Sequence, residues 1–244
     1  YYPKPINSFN EAVNISNIKL IITNMDNPWE HFRRNSNIKQ FLERMKIFFL
    51  RDFWCEVLKI FRKKYHNKEN ANLILNIKEL VNYILAAQDY YEQIIKDFNL
   101  KKISIEDEFV FYSYRFHVHS YTAVLLKLKF PKSIAISRAH GYDLYEYRSD
   151  DYYIPLRSET IRKLEQVFFI SQDGEKYMKK LYPKFISKYK VSYLGTEDLG
   201  KQDWSPSKTM RILSCSRISK EKRIELFLNL FEQLKMKVIW THIG

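Results

Sequence analysis

An α/β fold with a mostly parallel sheet is predicted from three observations. Short β-branched and aromatic runs alternate with longer segments of helical periodicity. Most of the short runs are continuously apolar, the pattern of strands covered on both faces. Hydrophobic residues make up 45% of the 244-residue chain, enough for a sizeable core.

The predicted strands are Ile18–Thr23, Phe109–Ser113, Ile134–Ser137, Val167–Ile170, Val191–Leu194, Arg211–Cys215 and Lys237–Thr241. The first predicted helix, Ile38–Lys63, has apolar residues at Ile38, Phe41, Leu42, Met45, Phe48, Phe49, Phe53, Val57, Ile60 and Phe61, which is helical spacing. Helices are also expected over Ile77–Phe98, His119–Leu128, Ser158–Leu164, Gly174–Leu181 and Lys222–Leu234. Strand–helix alternation of this kind builds parallel sheets. The composition turns polar and turn-forming over 195–208, which sets a linker at 201–208. Before it lies a domain of residues 1–200. After it, 209–244 forms a single βαβ unit, too small to bury a core alone and read as the start of an incomplete second domain.

Composition excludes several classes. Only 5 residues are Gly and none precedes Gly141, so neither a G-x-G-x-x-G fingerprint nor a P-loop is present. Cys55 and Cys215 stand apart, which leaves no C-x-x-C zinc site and no disulfide framework. No apolar run reaches the ~18 residues of a membrane-spanning helix. Lys and Arg number 41 against 28 Asp and Glu, a formal net charge of +13. Few Cys and many Lys suit a cytoplasmic protein.

The basic charge concentrates over 31–68, with 11 Lys and Arg against 3 Asp and Glu. Arg44, Lys46 and Arg51 flank the apolar stripe of the first helix and are candidates for facing an anionic membrane surface. A solvated basic rim around a buried stripe explains the same pattern. Nucleic-acid phosphates are a weaker match, because no recognition-helix or RRM-type motif occurs. His117 and His119 form an H-x-H pair without an acidic or cysteine cluster, so surface or capping roles are expected and no metal site.

Two segments carry candidate chemistry. Ser137-Arg138-Ala139-His140-Gly141-Tyr142-Asp143 follows a predicted strand, and ligands of parallel sheets bind beyond the carboxyl ends of the strands. A ligand-facing His140 with Asp143 nearby is one reading; an ordinary βα turn is the other. In Ser214-Cys215-Ser216-Arg217-Ile218-Ser219-Lys220-Glu221-Lys222-Arg223, a strand leads through a loop into a helix expected to start near Ser219. Arg217 and Lys222 could converge there on a diphosphate, with N–H donors of the helix N-terminus. A solvated basic turn is the alternative.

Taken in order, SRAHGYDLY, VFFISQDGEKYMKKLYP, KVSYLGTED, RILSCSRISKEKRIELFLNLF and VIWTHIG resemble the retaining glycosyltransferases of the GT-B fold, group 1. The resemblance covers roughly residues 109–244. It implies a GT-B-like architecture: a Rossmann-like N-terminal acceptor domain, and the first βαβ unit of a Rossmann-like nucleotide-sugar-binding domain. The implied activity is sugar transfer, with retention, from a nucleotide-sugar to a saccharide or lipid-linked acceptor. No cofactor or metal is implied.

Arg217 and Lys222 match the family's diphosphate-binding G-R-L-x-x-x-K-G pattern, whose flanking glycines are replaced here by Ser216 and Arg223. His140 matches a catalytic-site histidine on the donor-sugar side. Gly141, Asp143, Ser171, Gly195 and Thr196 correspond to positions lining the cleft. The family's E-x7-E element does not occur before Gly244, so the 244-residue chain alone is expected to be inactive. Polysaccharide assembly at the inner face of the plasma membrane is the implied setting. A non-catalytic basic protein binding anionic membrane or nucleic acid is the competing reading, and a glycosyltransferase-derived scaffold is a third.

Overall fold

A computed structural model describes residues 44–67, 72–149, 152–195, 200 and 209–244. The strand expected at 18–23 lies outside them. The chain divides into two compact units, Tyr1–Leu194 and Gly195–Gly244, and each is described by itself.

The first unit is α/β. Its helices are α1 (Arg51–Asn67), α2 (Leu73–Leu100), α3 (Val118–Lys129), the short α4 (Gly141–Leu144), α5 (Arg157–Lys163) and α6 (Gln172–Leu181). Its strands are β1 (Val110–Ser113), β2 (Ile134–Ala139), β3 (Gln166–Phe169) and β4 (Tyr189–Val191). They form one sheet in the order β1-β2-β3-β4, with every pair parallel. The α/β class and the parallel sheet are as the alternation of elements predicts.

Burial along the strands alternates, unlike the two-sided cover expected from their apolar runs. Phe111, Ala135, Ala139, Val167, Phe169 and Tyr189 point into a core beneath α3 and α6. Val110, Tyr112 and Ile134, on the opposite face, are exposed. Ser137 is buried on the covered face, and its hydroxyl donates to the Ser113 carbonyl at 3.3 Å.

A second apolar cluster joins the helices. Phe53, Val57 and Ile60 of α1 pack with Leu80, Tyr83, Ile84 and Ala87 of α2 and with Tyr121 of α3. The stripe of the first helix therefore meets other helices, not the sheet. That helix is also shorter than its periodicity implies. Residues 44–47 are helical, 48–49 form a turn, and α1 starts afresh at Arg51. The indole of Trp54 donates to the Phe48 carbonyl at 2.7 Å, satisfying an acceptor that the break releases. The rings of Phe48, Phe53 and Trp54 close around the turn, with Phe48 and Phe53 edge-to-face at 5.4 Å.

Charges fasten α1 to α5. Asp52 accepts from Lys163 and, at 2.8 Å, from the Tyr121 hydroxyl. Lys59 reaches both Glu56 and Glu159 at 3.2 Å and the Ser158 hydroxyl at 2.6 Å. Glu56 is buried and also accepts the Leu156 N–H at 3.2 Å. Burial raises its pKa in spite of Lys59.

The second unit is one βαβ: β5 (Thr209–Cys215), a 3-10 turn (Lys220–Lys222), α7 (Glu225–Gln233) and β6 (Lys237–Ile243). The strands are parallel, in register from Thr209↔Lys237 to Cys215↔Ile243. Phe227 and Phe231 of α7 pack on Trp240 at 5.4 and 5.3 Å. None of its described side chains is fully buried.

Candidate functional site

In the first unit the carboxyl ends of β1 and β2 bring Tyr114 and His140 side by side, their rings 4.6 Å apart. His140 precedes α4, and its side chain is 14% exposed. Both ring nitrogens are buried, and neither has a hydrogen-bond partner among the described residues. The nearest carboxylate oxygen, of Asp143, is 3.8 Å from Nδ1. Burial, with Arg115 and Arg138 adding to it, outweighs Asp143 and lowers the pKa of His140. The imidazole is therefore neutral at pH 7 and offers one donor and one acceptor.

The loop behind the imidazole is rigidly tied. Asp143 is 1% exposed and does not line an open surface. Its two oxygens accept the backbone N–H groups of His140 at 2.6 Å and Phe116 at 2.8 Å. Arg157, also buried, donates to the carbonyls of Phe116 at 2.8 Å and Asp143 at 2.5 Å. Its guanidinium stacks over the Phe116 ring, 4.1 Å from the centroid. Gly141 is crowded: a Cβ there would lie 3.0 Å from a guanidinium nitrogen of Arg148.

Ser171, at the carboxyl end of β3, caps α6 by accepting the Gly174 N–H at 3.1 Å. Gly195 is exposed with open space around it. Thr196 lies outside the described residues. Arg138, on β2, donates to the Ser192 hydroxyl beyond β4 at 3.1 Å, while its Nε is buried without a partner. Sequence reasoning passed over Arg138, Tyr114 and Arg157. The signal for the first two was available, since parallel neighbours ending in FYSYR and SRAH must juxtapose those residues.

His117 and His119 turn inward. His117 is the N-cap residue of α3 and packs on Tyr83 at 5.2 Å; His119 packs on Tyr90 at 4.9 Å. Among the described residues no cluster of three or more His, Cys, Asp or Glu could hold a metal ion.

In the second unit Arg217 and Lys222 are both exposed on the connection that leaves the carboxyl end of β5. Lys222 closes the 3-10 turn and is not in the first turn of a helix starting near Ser219, as its sequence position suggested. That helix begins at Glu225, after a break at Arg223. Arg223 itself is left-handed, with φ 47° and ψ 43°. This is a conformation that glycine adopts without the Cβ penalty. Gly244 follows β6 and passes over the same loop. The Ser216 N–H donates to the Ile243 carbonyl at 2.9 Å, and a Cβ on Gly244 would stand 2.0 Å from the Ser216 oxygen.

Arg44, Lys46 and Arg51 are all exposed. No helix among the described residues is long and apolar enough to cross a membrane.

No protein-family profile matches the chain, and no curated protein does. Among solved structures, the chain is similar to a crystal structure of accessory secretory proteins 1, 2 and 3 of Streptococcus pneumoniae. The identity is 13% and the TM-score 0.36, over 66% of this chain and 30% of that one. The chain thus spans less than a third of that protein's length, and the α/β class rests on strand order and register instead.

Proposed function

We propose that the chain is the acceptor-side domain and the opening βαβ unit of the donor domain of a retaining GT-B glycosyltransferase. The observation that carries this is the shape of the loop after β5. At Arg223, where the resembled family has glycine, the backbone is left-handed as glycine prefers. Gly244 of the neighbouring strand end leaves no room for a side chain against Ser216. The loop therefore has a glycine-type backbone at Arg223, and it displays Arg217 and Lys222 to solvent at the carboxyl end of a parallel strand.

In this reading Arg217 and Lys222 hold the diphosphate of a nucleotide-sugar and stabilise the charge that develops on it as it leaves. The bond from the anomeric carbon to the phosphate oxygen breaks, and a bond to the acceptor hydroxyl oxygen forms on the same face. The hydroxyl proton passes to the departing phosphate. The acceptor is a saccharide or a lipid-linked saccharide.

Isothermal titration with UDP, GDP, ADP and their sugar conjugates tests the donor assignment. At least one nucleoside diphosphate is expected to bind, and Arg217→Ala and Lys222→Ala are each expected to weaken it about tenfold or more, since a charge-assisted contact is worth ~1.5–3 kcal/mol. Binding unaffected by either substitution would reject the proposal.

A further inference from the structure

The helix α1 has two apolar faces, and only one is used. Phe53, Val57 and Ile60 are buried against α2 and α3. Trp54, Leu58 and Phe61, at the i, i+4, i+7 spacing of a single stripe, are 50%, 55% and 48% exposed. Phe49, in the turn just before α1, is 87% exposed. The turn is fixed by the Trp54–Phe48 hydrogen bond, so these side chains form a prepared ridge.

Among the described residues, the exposed charges of α1 have one sign. Arg51 and Arg62 are exposed at its two ends. The acids of α1 are turned inward: Asp52 to Lys163 and Tyr121, Glu56 to Lys59, Tyr153 and Leu156. The exposed face of α1 is thus apolar, aromatic and cationic, with no carboxylate on it. Against a second copy of itself this face would set arginine near arginine. Against nucleic acid its Phe and Leu side chains would gain little.

We infer that this ridge docks the protein on an anionic lipid bilayer, with Phe49, Trp54, Leu58 and Phe61 entering the headgroup–acyl boundary and Arg51 and Arg62 on the lipid phosphates. Trp at this depth is a favoured anchor. The stripe buried within the protein contributes nothing to the contact; the insertion comes from the adjacent face of the same helix, one residue further round. The inference uses no part of the diphosphate loop and stands or falls without it.

Co-sedimentation with phosphatidylcholine vesicles, with and without phosphatidylglycerol, tests it. The wild-type chain is expected on the anionic vesicles and much less on the neutral ones. Phe49→Ser with Leu58→Ser is expected to lower partition at least tenfold at every salt concentration, because two inserted side chains are lost. Arg51→Gln with Arg62→Gln is expected to lower it chiefly at low salt, where the electrostatic attraction is strongest. All four sites are exposed, and an unchanged urea midpoint checks that the variants fold. Equal partition of the Phe49/Leu58 variant and the wild type would overturn the inference. So would a change in sedimentation coefficient of that variant without lipid, which would make the ridge a contact between copies.

Discussion

Acidification from pH 7 to pH 4 probes His117, whose part a single substitution separates from those of His119 and His140, their pKa values also lowered by burial. Three features of its place in the fold oppose protonation. The ring is largely buried against Tyr83, the Arg157 guanidinium is close by, and the residue caps the N-terminus of α3, the positive end of that helix. Burial first, and Arg157 next, push its pKa down from 6.5 to about 4. The unfolded chain takes up a proton as pH falls through 6.5, and the folded chain does not until about 4. The unfolded state therefore binds more protons in that window, and stability falls as pH falls. The gap corresponds to roughly 3 kcal/mol at pH 4. Urea denaturation of the wild type and of His117→Phe, which keeps a ring against Tyr83, isolates this contribution. The wild type is expected to lose roughly 3 kcal/mol more than the variant between the two pH values. Parallel pH profiles for the two proteins would refute the reasoning.

Arg223→Gly is expected to stabilise the 195–244 unit by ~1 kcal/mol, because it removes a left-handed non-glycine residue; slower amide exchange in β5 and β6 is the readout, and faster exchange would contradict it. Arg157→Met removes two charge-assisted bonds to the Phe116 and Asp143 carbonyls and leaves both acceptors buried, so a loss of about 3 kcal/mol in urea denaturation is expected. His140→Ala removes a largely buried ring packed on Tyr114 but no hydrogen bond, so a loss of about 1–2 kcal/mol is expected; an unchanged urea midpoint would contradict it.

Most strands and helices of 109–194 were legible because their β-branched and aromatic runs are short and separated by strong helical patterns. The same holds for β5, α7 and β6. The last strand of 109–194, expected at Val191–Leu194, is Tyr189–Val191 instead. What was not legible came from tertiary contacts. Nothing in the periodicity of 38–63 announces a break at Phe48, since the break is held by the indole of Trp54 from the next helix. Asp143 reads as a polar site residue but serves two backbone N–H groups, and its partner Phe116 comes from another loop. Lys59 reads as a rim cation and is instead paired with Glu56 and Glu159, the latter 100 residues away. The separation of α1 into a buried and an exposed apolar face could not be read either, because Phe53, Val57 and Ile60 on one and Trp54, Leu58 and Phe61 on the other are all large and apolar. His140, Arg217 and Lys222 were legible as residues at strand ends, but the left-handed turn at Arg223 appears only in the backbone.

The donor-diphosphate loop is tested most directly by amide NMR of the protein titrated with UDP, GDP and ADP. The largest shifts are predicted in 216–223 and at Gly244 for at least one nucleotide, and Arg217→Ala is predicted to abolish them at the same concentration. Shifts confined to other parts of the chain, or none with any of the three, would contradict the assignment of this loop to a nucleotide-sugar donor.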